Sequence, residues 1–308
     1  MLDSILNQSL KNVEVIVADN ASALSPCDIV EAYQNKGLNI SLLTSPKRIN
    51  AKNARLLGVT NATADCIMFA DADDRLWGEQ ALESHVDLMH ESDVDVVHFR
   101  TVFTDENANF TGYYTAADPF SHKLSGLAIL EHFLSHNFLG EAIWNKLFSR
   151  SLLARARNDL SSLNTAMCED LFMNLVLLFH ARSYISSDLT GYGYHYQDKR
   201  TVTALARAMS IFSIMEFMLL FFKKNKASEC MHQQLVASCI KPMCVLAGRG
   251  CKEFKKGEHG FPDEEAIGQL LQNVDVTILV KTLVMGNAIN ASKITNSITS
   301  LASVFQTS

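Results

Sequence analysis

The segment that most limits the fold is Cys66-Ile67-Met68-Phe69-Ala70, five apolar residues running straight into Asp71-Ala72-Asp73-Asp74. A strand that is apolar on both of its faces has to be covered on both faces, as happens when helices flank a parallel sheet. Three further runs have strand character: Val13 to Ala18, Asn39 to Leu43 and Val94 to Phe99. Helical patterns separate them. One opens at Ser25-Pro26 and carries Ile29, Val30 and Tyr33 on one face; another runs through Ala54, Leu57 and Gly58. Strands alternating with helices predict an α/β fold with a doubly wound sheet. In such sheets ligands bind beyond the carboxyl ends of the strands. Two of those ends carry acids here, Asp19 and the Asp71 to Asp74 run.

Beyond about residue 204 the pattern is helical only, so the chain reads as a sheet domain over 1–203 and a helical region over 204–308. Pro262-Asp263 opens one of its predicted helices. The net charge of −6 argues against nucleic acid as a partner, since that needs a basic footprint. Seven cysteines, an odd number without a C-x-x-C pair, read as reduced thiols and so as a cytoplasmic setting. The longest apolar run, Ile211 to Phe222, is shorter than the roughly 18–20 residues that span a bilayer. It reads as a buried helix. The lysines at 223, 224 and 226 leave open a second reading, peripheral membrane association through an interfacial helix.

Three carboxylates within four residues repel one another, so their coexistence calls for a compensating charge. A divalent cation shared with a phosphate supplies one, and magnesium or manganese takes oxygen ligands of this kind. Alternation along an extended chain points Asp71 and Asp73 the same way. A solvated acidic turn is the plainer alternative, with Asp74 capping a helix predicted from Trp77 to His90. A calcium-binding EF-hand loop is excluded, because Leu76 and Leu82 fall where glycine and glutamate are needed. The second acidic feature, Glu169-Asp170, opens the apolar helix through His180. Acids there favour the helix dipole, or act as a general base.

These blocks together resemble glycosyltransferase family 2, with its GT-A-type doubly wound mixed sheet. The resemblance rests on LDSILNQSLKNVEVIVADNAS at 2–22, NAR at 53–55 with Gly58, and ADCIMFADADD at 64–74. It continues through WNKLFSRSLL at 144–153, CEDLFMNLVLL at 168–178 and YHYQDKRTVT at 194–203. It implies an inverting, metal-dependent transferase using Mn2+ or Mg2+, with a nucleotide-sugar donor, most simply a UDP-sugar. The acceptor is then a saccharide or a lipid-linked sugar, as in surface polysaccharide synthesis. The resemblance further implies that Asp19, Asn20, Arg55, Asp71 and Ala72 hold the nucleotide, and that Asp73 with Asp71 binds the metal. It makes Asp170, beside Glu169, the catalytic base, and puts Trp144, Asn145 and Lys146 on the acceptor side. His195 is read as packed, with an approach to the phosphates as the alternative.

Two departures from the family pattern stand out. Members usually begin with an apolar strand of the type V-S-V-I-I-P-x-Y-N some twenty residues ahead of the block that starts here at Leu2. That strand is central, so a sheet without it is expected to be incomplete, and a catalytically impaired nucleotide-sugar-binding relative is the competing reading. Asn20 stands where a second aspartate is common, and an amide both donates and accepts, so base preference is expected to differ. A phosphohydrolase of the haloacid-dehalogenase type fits less well: Arg75 stands where that class has Thr or Val, and its nucleophile strand comes first in the chain.

Overall fold

β-Branched and apolar runs become strands, and polar-faced segments between them become helices, in a computed structural model that describes residues 1–119, 122–136, 142–165, 167–196 and 204–239. In chain order the elements are α1 (Leu2–Leu6), β1 (Val15–Asp19), α2 (Cys27–Asn35), β2 (Ile40–Thr44), α3 (Ala51–Asn61), β3 (Cys66–Met68), β4 (Arg75–Leu76), α4 (Ala81–Ser92) and β5 (Val96–Thr104). Then come β6 (Phe110–Tyr113), a 3-10 turn (Thr115–Ala117), β7 (Lys123–Ser125), α5 (Ala128–His136), β8 (Lys146–Ser149), α6 (Arg150–Leu160), α7 (Glu169–His180), β9 (Ser183–His195) and α8 (Ala204–Lys224).

The strands form a mixed sheet of the expected α/β class. Seven are hydrogen-bonded together in the path β3-β8-β5-β9-β4, with β6 on β5 and β7 on β9. The long central strands β5 and β9 run parallel, whereas β8 is antiparallel to both β3 and β5. The apolar β3 therefore has an antiparallel neighbour, not the parallel one its composition suggested. Apolar composition does not report a neighbour's direction, and of the three strand residues only Ile67 is buried. The parallel pair β1-β2 makes a separate two-stranded sheet, and among the described residues no strand joins it to β3. What ties the two together nearby is Glu14, whose Oε2 accepts from the Thr63 N–H and hydroxyl at 2.8 and 3.1 Å.

Helix boundaries follow local chemistry. The Asn50 side chain caps α3 by accepting from the Asn53 N–H at 2.8 Å. Ser149 does the same for α6 from Leu152 at 3.1 Å. The helix predicted from Trp77 starts later, at Ala81, because Asp74 is used elsewhere and caps nothing. The core lies under β5, β8 and α7, where Val96, Val97, Phe148, Leu171, Phe172 and Val176 are fully buried.

The chain divides into two compact units, 1–199 and 200–308. In the second, the described part is α8 and a helical run over 229–239. Ile211, Ile214, Met215, Met218 and Phe222 of α8 are buried, which is how a packed helix disposes of its apolar face; Leu220 is exposed. No described helix is long and apolar enough to cross a membrane. The helix predicted at Pro262 lies outside the described residues.

Candidate active site

The site assembles around one guanidinium. Arg55 sits in the second turn of the capped helix α3. Its Nη1 donates at short range to Asp170 Oδ1, in the first turn of α7, and its Nη2 donates to Asp71 Oδ1, just past β3, at 3.1 Å. Only 15% of the Arg55 side chain is exposed. Burial alone would lower its pKa, but the charges of Asp170, Asp71 and Glu169 outweigh that and raise it. Two acidic motifs about a hundred residues apart thus share one buried cation.

The helix that carries the proposed base begins with unusual backbone. Cys168, its N-cap, has φ +56°, in the left-handed region where a side chain is strained, and Glu169 and Asp170 fill the first turn. Acids at that end are favoured by the helix dipole.

A second anchor holds the acidic run itself. The Tyr192 hydroxyl accepts from the Asp71 N–H at 3.0 Å and donates to Asp74 Oδ2 at 2.7 Å. The His195 N–H donates to Asp74 Oδ1, also at 2.7 Å. Asp74 is therefore a buried bracket tying the run to β9, and burial pushes its pKa up to about 6 despite those two bonds. Tyr192 stacks on Trp144 with centroids 4.5 Å apart, and Trp144 stacks on Tyr194 at 5.2 Å. Burial raises the Tyr194 hydroxyl to about 12, with Tyr114 and the acids Asp74, Asp71 and Asp73 adding to the shift. Asp74 and Tyr192 were not expected as site residues. The only signal in the sequence was a third aspartate and an aromatic strand, YGYHY, neither of which names its partner.

The other expected positions fall as follows. Asp73 and Ala72 are exposed, and Asp73 enters no hydrogen bond or ion pair with a described residue. Asp71 meets Arg55 through Oδ1, and its Oδ2 enters no hydrogen bond or ion pair with a described residue. Those oxygens suit a hard divalent cation. Among the described residues, though, no cluster of three ligating side chains forms, so such an ion would need phosphate oxygens from a ligand. Asp19 is buried at the end of β1, with Oδ1 accepting from Ser22 N at 3.2 Å. Asn20 spends its amide on the Ile49 peptide, accepting at 2.7 Å and donating at 2.6 Å. It fixes the loop after β2 in addition to standing at the strand end.

Trp144, Asn145 and Lys146, expected to line the acceptor side, are inside the protein: Asn145 and Lys146 are fully buried and Trp144 nearly so. Asn145 donates to the Ala117 carbonyl at 2.7 Å, and Lys146 donates to Ala142 O and Asn145 Oδ1 at 2.6 and 2.8 Å. These polar groups satisfy one another inside the protein, so the three side chains do not line an exposed surface as expected. Burial lowers Lys146 to about 7, with Asp170 pulling the other way.

Comparison with known proteins places the chain in a family and a fold. The family model for glycosyl transferase family 2 matches residues 1–156. The chain is 36% identical over 90 residues to the amylovoran biosynthesis glycosyltransferase AmsB of Erwinia amylovora, covering 29% of this chain and 30% of that one. It is 26% identical over 205 residues to the putative glycosyltransferase EpsH of Bacillus subtilis, covering 64% and 55%. In both cases the match spans less than two thirds of the relative's length. The fold is similar to that of S. aureus TarS 1–349, with a TM-score of 0.61 and 18% identity over 84% of this chain and 71% of that one. A mannosyltransferase from Pyrobaculum calidifontis, solved with GDP-Man and Mn2+, superposes with a TM-score of 0.52 and 15% identity over 93% and 78%.

Proposed function

Because the chain belongs to glycosyl transferase family 2, we propose that it transfers a sugar from a nucleoside-diphosphate sugar to an acceptor hydroxyl, with inversion and with a divalent metal, in surface polysaccharide or glycolipid synthesis. One observation carries this reading: Arg55 bridges Asp71 at the end of β3 and Asp170 at the start of α7. That bridge sets a carboxylate able to take a proton beside the acids suited to hold a donor. TarS has also been solved with UDP-GlcNAc and with UDP, which supports a uridine donor here.

On this reading Asp73 and Asp71 hold Mn2+ or Mg2+, which when bound offsets the charge that builds on the departing diphosphate. Asp19 and Asn20 lie at the base end of the donor and Ala72 at its ribose. Asp170 accepts the proton of the acceptor hydroxyl as that oxygen attacks the anomeric carbon, while the nucleoside diphosphate leaves from the opposite face. A single displacement inverts the anomeric centre and needs no covalent intermediate. Arg55 Nη1 donates to Oδ1 of Asp170 and so fixes where that carboxylate stands. The five cysteines among the described residues are all free thiols, in keeping with work on the cytoplasmic side.

Asp170→Asn tests the assignment of the base. It removes the proton acceptor and keeps the shape, so turnover is expected to fall by roughly 10²–10⁴-fold, the usual worth of a general base, with donor affinity little changed. Normal turnover in that variant would overturn the assignment.

A further inference from the structure

The cleft that contains Asp73, of about 540 Å³, is bounded by Arg75 on one side and by Thr104 and Ala108 of the β5–β6 hairpin on the other. Thr104 pairs with Phe110 across that hairpin, and Arg75 Nη1 lies 3.4 Å from the Ala108 carbonyl. Three aromatic rings stand next to these residues on the same elements, outside the cleft lining itself. Trp77 and Phe110 have centroids 6.3 Å apart at 52°, and Phe110 and Tyr113 are 5.2 Å apart at 69°. Tilted and edge-on contacts leave ring faces uncovered, and Phe110 is 48% and Tyr113 64% exposed. Gly193 lets this wall lie flat. A Cβ there would come within 2.9 Å of Arg75 Cγ and 3.2 Å of Trp77 Cε3. Aromatic groups gathered beside a polar cleft, two of them exposed, mark a binding surface.

Charge decides what kind of ligand fits. Asp3, Asp73, Asp74, Asp105 and Glu106 line the cleft, against Arg75, His195 and the Met1 amino group, so acids predominate. An anionic polymer would be repelled there. A neutral sugar would lay its C–H face on the rings and give its hydroxyls to the carboxylates and to Thr104.

We propose that Trp77, Phe110 and Tyr113 form an acceptor-binding wall that takes a neutral saccharide chain. This rests on the transferase reading only in naming the saccharide as acceptor. The test is native affinity electrophoresis of the full chain through gels containing dextran, a β-glucan, a galactan or dextran sulphate. The protein is run as wild type, Tyr113→Ala, Phe110→Ala/Tyr113→Ala and Asp73→Ala, with melting temperatures and UDP-sugar affinity measured alongside. At least one neutral polymer should retard the wild type. Apparent affinity should drop at least about tenfold in the double variant and partly in Tyr113→Ala, with melting temperature and donor affinity unchanged. Asp73→Ala should still be retarded while losing donor affinity. Absence of retardation by every neutral polymer, stronger retardation by dextran sulphate, or a double variant that migrates as wild type would overturn the wall. Donor affinity that is absent in the wild type would instead count against the transferase reading alone.

Discussion

At the scale of single residues the site is held by two polar brackets that the sequence does not reveal. Arg55 joins Asp71 to Asp170, and Tyr192 joins the Asp71 peptide to Asp74. Arg55→Lys keeps the charge but loses the planar fork that reaches two carboxylates at once. We expect kcat to fall by about tenfold, equivalent to roughly 1.4 kcal/mol, with the melting temperature nearly unchanged. Unaltered kcat would show that the bridge is incidental. Away from the site, burial alone would raise Asp95, but bonds from Arg155, the Arg182 N–H and Ser149 more than reverse this and hold its carboxyl below the usual range. Its stabilising effect is therefore complete above the unfolded pKa of about 3.9 and is lost as pH falls through the lower folded value. Asp95→Asn should flatten the acid limb of a stability–pH curve; an unchanged limb would contradict this. The acids Asp71, Asp73 and Asp170 were legible because carboxylate runs at a strand end and a helix start have few uses. Arg55's partnership was not, since a lone arginine in a helix looks the same whether it faces water or a buried acid. The inward turn of Asn145 was hidden for a related reason: its partners His98 and Ala117 are brought to it only by the fold.

At the scale of elements, β9 decides how the acidic run is presented. Its residues alternate in side. Tyr192 and Tyr194 stack on Trp144, while Gly191 and Gly193 face Phe99, His85, Arg75 and Trp77. A Cβ at Gly191 would come within 2.7 Å of Phe99 Cδ2 and 2.9 Å of His85 Cε1. Gly191→Ala should therefore destabilise the protein by about 1–3 kcal/mol through overpacking, read from chemical denaturation. A change below roughly 0.5 kcal/mol would show that the ring of Phe99 gives way freely. The sequence revealed the aromatic end of this strand but not its full extent, Ser183–His195, because Ser186, Ser187, Asp188 and Thr190 break the apolar pattern. The helix after Cys168 was easier to place, because the acidic pair Glu169-Asp170 is a start signal with a physical cause. Strand direction was harder, since Cys66–Met68 has the same apolar composition beside a parallel or an antiparallel neighbour.

At the scale of the whole molecule the notable feature is the interrupted sheet. β1 and β3 each carry a hydrogen-bonding edge without a described strand upon it, and unpaired edges weaken a sheet. β3 leads into Asp71, and β1 ends in Asp19, which the proposed function puts at the base end of the donor. The central claim concerns the acids those strands deliver. Its most direct test is calorimetric titration of the chain with UDP-GlcNAc and GDP-mannose, with and without Mn2+, beside Asp73→Ala. The account predicts donor binding that requires Mn2+ and is lost in Asp73→Ala, with the folded state intact. Donor binding of equal strength without metal, or in the variant, would contradict it.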